Sequence, residues 1–115
     1  GRPGYEYPWG PEWDNAKANT GESGLGRTTA VGVYPTGAAP CGALDMSGNV
    51  WEWCLNEYSK LDNIGLSGDA GRVVRGGAWG FAEDDTRAAF RPWLYPVRRL
   101  DNYGFRVTAT RKLPE

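Results

Sequence analysis

Histidine is absent from the 115 residues, methionine occurs once and cysteine twice. Without histidine the chain cannot by itself supply an imidazole general base, a His-ligated metal, or a Ser–His or Cys–His nucleophile pair. Two cysteines, Cys41 and Cys54, fix no disulfide framework. Free thiols in a cytoplasmic protein are the expectation, with one disulfide as the alternative. No apolar run approaches the roughly 18–20 residues that a membrane-spanning helix needs, and no secretory leader is visible. Neither sign of charge is in large excess, with 13 Lys and Arg against 14 Asp and Glu for a net charge of −1. That balance gives no general affinity for nucleic acid.

What is present is turn-forming and aromatic. Seventeen Gly and eight Pro exclude a mostly helical protein. Six Trp and six Tyr compensate for a modest apolar content, because each buries a large area. The length is that of one domain or part of one. Charge is unevenly spread. Residues 1–71 carry four basic and nine acidic side chains, a net of −5, and residues 72–115 carry nine basic and five acidic, a net of +4. Eight of those nine basic residues are Arg, which suits fixed bidentate or stacked contacts. The expectation is that most of these arginines pair with acids of the first half.

The chain is organised around Gly42-Ala43-Leu44-Asp45-Met46-Ser47-Gly48-Asn49-Val50-Trp51-Glu52-Trp53. Asp45 and Glu52 flank a Ser-Gly-Asn turn, where Gly48 permits a positive φ. Beyond it, Trp51, Trp53 and Leu55 alternate with Glu52 and Cys54, which is a strand period. Trp51 and Trp53 then share a core face while Glu52 points the other way. Across the turn Asp45 and Glu52 converge, with the carbonyls of Gly48 and Val50 between them. Hard cations such as calcium favour that mixture of carboxylate and carbonyl oxygen; pairing of Glu52 with an arginine is the competing reading.

Elsewhere, residues 1–40 read as loops, with Tyr5, Tyr7, Trp9 and Trp13 spaced to pack against a neighbouring layer. The Gly-rich stretch 19–26 reads as a solvated turn. It is not a phosphate loop, since no Gly-Lys-Ser/Thr follows it. Residues 28–34, 72–78, 86–91 and 103–110 are strand candidates that suggest a small antiparallel sheet, and residues 55–61 a short helical turn. Gly76 and Gly77 mark a close approach of two backbones.

Ala43 to Trp53 in the central stretch resembles the signature of the formylglycine-generating-enzyme (sulfatase-modifying factor) domain family. So do Tyr7-Pro8-Trp9-Gly10, Arg72-Val73-Val74-Arg75-Gly76-Gly77-Ala78-Trp79 and Gly104-Phe105-Arg106-Val107, in the same order. The resemblance implies an irregular α+β, C-type-lectin-like fold with few helices. It also implies that the chain is the C-terminal part of one such domain, with the portion expected before Tyr7 lying outside it. Asp45, Gly48, Val50 and Glu52 match a structural calcium site of the family, with Asp45 standing where the resemblance leads one to expect Asn. A first calcium site is met only by Asn19, because Ser23 stands where an acidic ligand is expected.

Family enzymes hold copper on a cysteine pair between the Arg-Gly-Gly and Gly-Phe-Arg motifs. In this chain residues 78–103 contain no cysteine, and Glu83 and Ala88 lie near the expected positions. Glu and Ala cannot build a soft thiolate site, so no copper is expected. Another branch of the family makes carbon–sulfur bonds with iron held by histidines of a separate domain. A third branch is non-catalytic and includes the variable proteins of diversity-generating retroelements, in which this segment carries a binding surface. The spacing here fits that branch. Residues 80–102 supply Phe81, Glu83, Asp84, Trp93, Tyr95, Arg98, Asp101 and Asn102 as ligand-binding candidates, with a protein or small molecule as partner. Aromatics on a proline-stiffened loop, Pro92-Trp93-Leu94-Tyr95-Pro96, suit binding; core cover is the alternative reading of Trp93 and Tyr95. An enzyme of the formylglycine-generating or sulfur-transfer oxidase type, completed by residues outside the chain, is the other functional expectation.

Overall fold

A computed structural model describes residues 2–109. Its sheet has four strands, β1 (Trp51–Glu57), β2 (Arg72–Arg75), β3 (Trp93–Leu94) and β4 (Tyr103–Gly104), in the order β3-β2-β1-β4. β1 pairs antiparallel with β2 through Trp53↔Val74, and β2 pairs antiparallel with β3 through Val73↔Trp93. β4 lies parallel to β1 through Trp51↔Tyr103, so the sheet is mixed where an antiparallel one was expected. The physical cause is the long return of residues 76–102, which brings β4 to the far edge in the direction of β1.

Among the described residues the remaining helical structure is four short 3-10 turns, Asn15–Lys17, Gly21–Ser23, Pro35–Gly37 and Glu83–Thr86. Among the described residues no helix is long and apolar enough to cross a membrane.

Trp51 fills the centre of the core with Val74 and Ala78, all essentially shut off from solvent. Phe81 meets its ring edge-on at 5.2 Å, and Phe90 and Tyr103 approach at 6.2 and 6.3 Å. Burying one indole removes about 200 Å2 from water, worth roughly 5 kcal/mol by area. Trp53, two residues on, packs against the same face and against Tyr103, as the alternation requires. A second aromatic cluster, Tyr7, Trp9 and Trp13, has ring centroids 5.3–5.5 Å apart.

The turn before β1 is a hub. Gly48 N–H donates to Gly76 O (2.6 Å), Asn49 N–H to Asn19 O (2.7 Å), Trp79 N–H to Asn49 O (3.0 Å) and Thr29 N–H to Asn49 Oδ1 (3.0 Å). Ser47 Oγ donates to Thr86 O at 2.6 Å. Four segments distant in sequence are thereby tied to three residues. Gly48 takes φ +81°, and a Cβ there would lie 2.5 Å from Asn19 O. The Gly-Gly pair works in the same way: a Cβ on Gly76 would meet Met46 O at 2.8 Å, and one on Gly77 would meet Thr86 Cγ2 at 2.5 Å.

Four local expectations are corrected. Residues 28–34 form no strand; Val31 and Val33 are exposed, and the amides of Thr29 and Gly32 are taken by the side chains of Asn49 and Asp45. Residues 55–61 are not helical, because β1 runs to Glu57 and the chain turns back through a Glu57↔Lys60 bridge, with Tyr58 N–H bonded to Gly71 O. Residues 86–91 are not a strand. Local bonds from Thr86 Oγ1 to Glu83 O and from Phe90 N–H to Arg87 O curl them instead. Of residues 103–110 only Tyr103–Gly104 pair; Thr110 lies outside the described residues. The Gly-rich stretch also differs from a solvated turn at its start, where Asn19 and Thr20 are buried.

Candidate functional site

Two regions collect the candidate residues. The first is a hollow beside the central turn, lined by all four expected metal ligands, Asp45, Gly48, Val50 and Glu52, together with Arg106. Asp45 takes φ +55° and its Oδ2 accepts from Gly32 N–H at 2.8 Å. Arg106 grips both Glu52 oxygens, through Nε to Oε1 and through Nη2 to Oε2 at 2.9 Å. The same guanidinium donates to Leu44 O and Asp45 O, each at 2.9 Å. Hydrogen bonding to Glu52 holds its pKa above the ordinary arginine value against the opposing effect of burial. A hard cation fits this donor set only as a partner sharing Glu52 with Arg106. Each carboxylate oxygen keeps a second lone pair, but the arginine already supplies positive charge between the two acids. Among the described residues no group of three or more His, Cys, Asp or Glu is placed to hold a metal. Arg106 was legible as a motif residue but not as a member of this site.

The second region is the surface of residues 80–102, and its candidates divide. Trp93 and Tyr95 are 44% and 52% exposed, and their rings meet edge-on at 4.9 Å. Trp93 lies over Gly71, whose missing Cβ would stand 2.7 Å from the indole. Arg98 and Asp101 are exposed on the same loop, and Arg98 N–H bonds to Tyr95 O, forming a tight turn. Tyr58, at the end of β1, adds a third ring 6.2 Å from Trp93. Sequence reasoning missed Tyr58, because only the β1–β2 pairing brings it beneath β3.

The other candidates are tied into the scaffold. Phe81 packs on Trp51, Asn102 O accepts from Trp51 N–H, and Glu83 and Asp84 sit in the Glu83–Thr86 turn. Glu83 N–H donates to Glu22 Oε1, and Asp84 O accepts from Arg87 Nε.

Cys41 is exposed and Cys54 half-buried; both are free. Burial pushes the Cys54 thiol up, partly opposed by the nearby Arg75. Neither cysteine lies in the Arg-Gly-Gly to Gly-Phe-Arg segment that carries the catalytic pair in family enzymes.

Comparison with known proteins agrees with this architecture. Residues 1–111 match the model of the sulfatase-modifying factor enzyme 1-like domain. Hercynine oxygenase of Mycolicibacterium thermoresistibile is 39% identical over 116 residues, covering 88% of this chain and 26% of that protein. Inactive C-alpha-formylglycine-generating enzyme 2 of Bos taurus is 31% identical over 123 residues, covering 95% of this chain and 39% of that protein. Among solved structures, Treponema denticola variable protein 1 superposes with a TM-score of 0.69 at 28% identity, covering 86% of this chain and 39% of that one. This chain thus spans between a quarter and two fifths of the length of these relatives. The motif order, the mixed sheet around Trp51 and the match over residues 1–111 together establish that the chain belongs to the formylglycine-generating-enzyme-like, sulfatase-modifying factor domain family.

Proposed function

We propose that this domain is a non-catalytic binding module whose ligand, a protein or a small molecule, docks on the aromatic surface of Tyr58, Trp93 and Tyr95. The observation that carries the reading is the exposure of Trp93 and Tyr95 as an edge-to-face pair, on β3 and just after it, between Pro92 and Pro96. Large aromatics held in one geometry lose little entropy on binding and present wide apolar area. Arg98 and Asp101 supply polar contacts at its rim. The likeness to a variable protein and the absence of cysteine from residues 78–103 support the same reading.

The test is saturation-transfer NMR of the protein against a mixed library of aromatic fragments and short peptides. Hits should contact Trp93 and Tyr95 and vanish in Tyr95→Ala. Hits that persist in that variant, or that map elsewhere, reject the surface.

The enzymatic alternative draws on the 39% identity to a hercynine oxygenase, of which this chain spans 26%. On this reading residues outside the chain complete an oxidase centre. Oxygen uptake by the intact protein with iron(II) or copper and a thiol substrate would favour it. Uptake unchanged by the thiol would count against it.

A structural calcium ion held by Asp45, Glu52 and the carbonyls of Gly48 and Val50 is a further proposal. It rests on their placement around one hollow. Such an ion would tie turn to strand and take no part in chemistry. Calcium would raise the melting temperature of the protein, and Asp45→Ala would remove the effect; equal melting with calcium and with chelator would reject it.

A further inference from the structure

The arginines of the second half are short of acids. Among the described residues the structure holds one ion pair, Arg106–Glu52. Three other arginines, Arg2, Arg75 and Arg87, line a single cavity of about 360 Å3. Arg75 donates through Nη2 to Ala88 O, and Arg87 through Nε to Asp84 O at 2.7 Å. The Arg87 guanidinium lies over the Phe90 ring and that of Arg2 over Tyr5, each 5.6 Å from the centroid. These contacts fix the guanidinium groups while leaving most of their five donors unused. Glu52 and Arg106 also line the cavity, and there the charge of Glu52 is matched by Arg106, which donates to each of its oxygens. Glu6, Glu83 and Asp84 are close enough to act on Tyr7, yet none reaches ion-pair distance of an arginine.

Much of the remaining wall is apolar or aromatic, including Tyr7, Met46 and Trp53, with Ser47 and Thr86 as its neutral polar members. Three preorganised forks with unspent donors beside an apolar wall match one kind of ligand. Guanidinium binds carboxylate with two parallel hydrogen bonds, and the aromatic wall takes the apolar body behind it. A volume near 360 Å3 is at the small end of the range of ligand pockets, about 300–1,000 Å3. We propose that this cavity, separate from the Trp93–Tyr95 surface, binds a carboxylate carried on an apolar body. The carboxylate comes either from a free small acid or from an acidic side chain of a further polypeptide segment, and the two sources are separable by experiment.

Cys54 supplies the probe, because it lines the cavity while Cys41 is exposed and is not a wall residue. Iodoacetamide labelling of the two thiols in the intact protein is followed by peptide mass spectrometry, with phenylacetate as the test acid and phenylacetamide as its neutral isostere. At twice its dissociation constant, phenylacetate should slow Cys54 labelling about threefold relative to Cys41. Phenylacetamide should not, and Arg87→Gln or Arg2→Gln should remove the protection. If instead Cys54 is already slow, ignores phenylacetate, and is released severalfold by either substitution, the carboxylate belongs to a polypeptide segment seated in the cavity. Protection by the amide equal to that by the acid overturns the proposal. So does Cys54 labelling that neither the acid nor the substitutions change.

Discussion

Arg106 and Glu52 are 54 residues apart in sequence and form a two-pronged ion pair, with the same guanidinium closing over the carbonyls of Leu44 and Asp45. One side chain therefore binds the strand, the turn before it and the segment after β4. Arg106→Ala removes four hydrogen bonds and leaves Glu52, whose side chain is only 16% exposed, without its cation. Arg106 itself is 36% exposed, so solvent screening discounts the pair. The expected loss is about 1–2 kcal/mol, read as a lower urea midpoint. Arg106→Lys should recover less than half of it, because an ammonium cannot make the fork. The pH dependence follows from the raised pKa of Arg106. A group raised on folding contributes fully below its unfolded value, which for arginine is strongly alkaline. From the arginine side the contribution is therefore flat across neutral pH.

Gly48 and Gly42 share nearly the same backbone, φ +81° and +88°, but not the same surroundings. A Cβ on Gly42 meets nothing within 4 Å, whereas one on Gly48 strikes the backbone of Asn19 at 2.5 Å. Gly42→Ala should cost only the left-handed strain, about 1 kcal/mol. Gly48→Ala should cost about 3 kcal/mol or more, since the Asn49-to-Asn19 bond must also shift. Thermal unfolding of the two variants separates strain from collision; equal losses would mean that the hub is more pliable than its geometry.

The contrast bears on what was legible beforehand. Trp51 and Trp53 on a core face, the turn at Gly48 and the close approach at Gly76–Gly77 all follow from local patterns, and all are present. Motif order conveyed the fold family. Residues 28–34 and 86–91 look β-prone, yet neither pairs, because a strand requires a partner that local sequence does not specify. Side chains of Asn49 and Asp45 take amides of the first, and in the second the amide of Phe90 bonds to Arg87 O and that of Ala88 to Glu6 O. The parallel placement of β4 depends on the path of residues 76–102, which no local pattern encodes. The convergence of Asp45 and Glu52 on one hollow was legible in the motif that holds both. Tyr58 and the paired role of Arg106 depend on contacts over tens of residues.

Glu22 gives the acid limb of the stability curve. Burial pushes its pKa up, but hydrogen bonds from Thr20 Oγ1, from Glu83 N–H and from its own N–H outweigh it, and the net shift is below the ordinary 4.5. A carboxylate depressed on folding stabilises above its unfolded pKa, and that stability is lost as pH falls through the folded value. Glu22→Gln should therefore lower stability at pH 6, and the loss should shrink as pH falls below 4.5 and through the depressed folded-state pKa of the wild-type carboxyl. Urea unfolding at several pH values checks this. A loss independent of pH would show that the amide fails for shape and not for charge.

The aromatic residues allow the binding surface to be separated from the core by stability alone. Trp51→Phe should be costly and Trp51→Ala more so, about 3–5 kcal/mol, because the indole is enclosed by Phe81, Phe90 and Tyr103. Tyr95→Ala removes a ring that is half exposed and meets Trp93 edge-on, so the expected cost is about 1 kcal/mol or less. Trp93→Ala should cost somewhat more, since the indole also covers Gly71. If Trp93 and Tyr95 served only to cover the core, their losses would approach that of Trp51. A small loss of stability with a large loss of ligand binding is the pattern expected of side chains kept for contact with a partner. Measured together by calorimetry and by the NMR titration, the three alanine variants decide between the two roles, because core cover predicts stability losses close to that of Trp51 and a binding surface predicts small losses of stability with a large loss of binding.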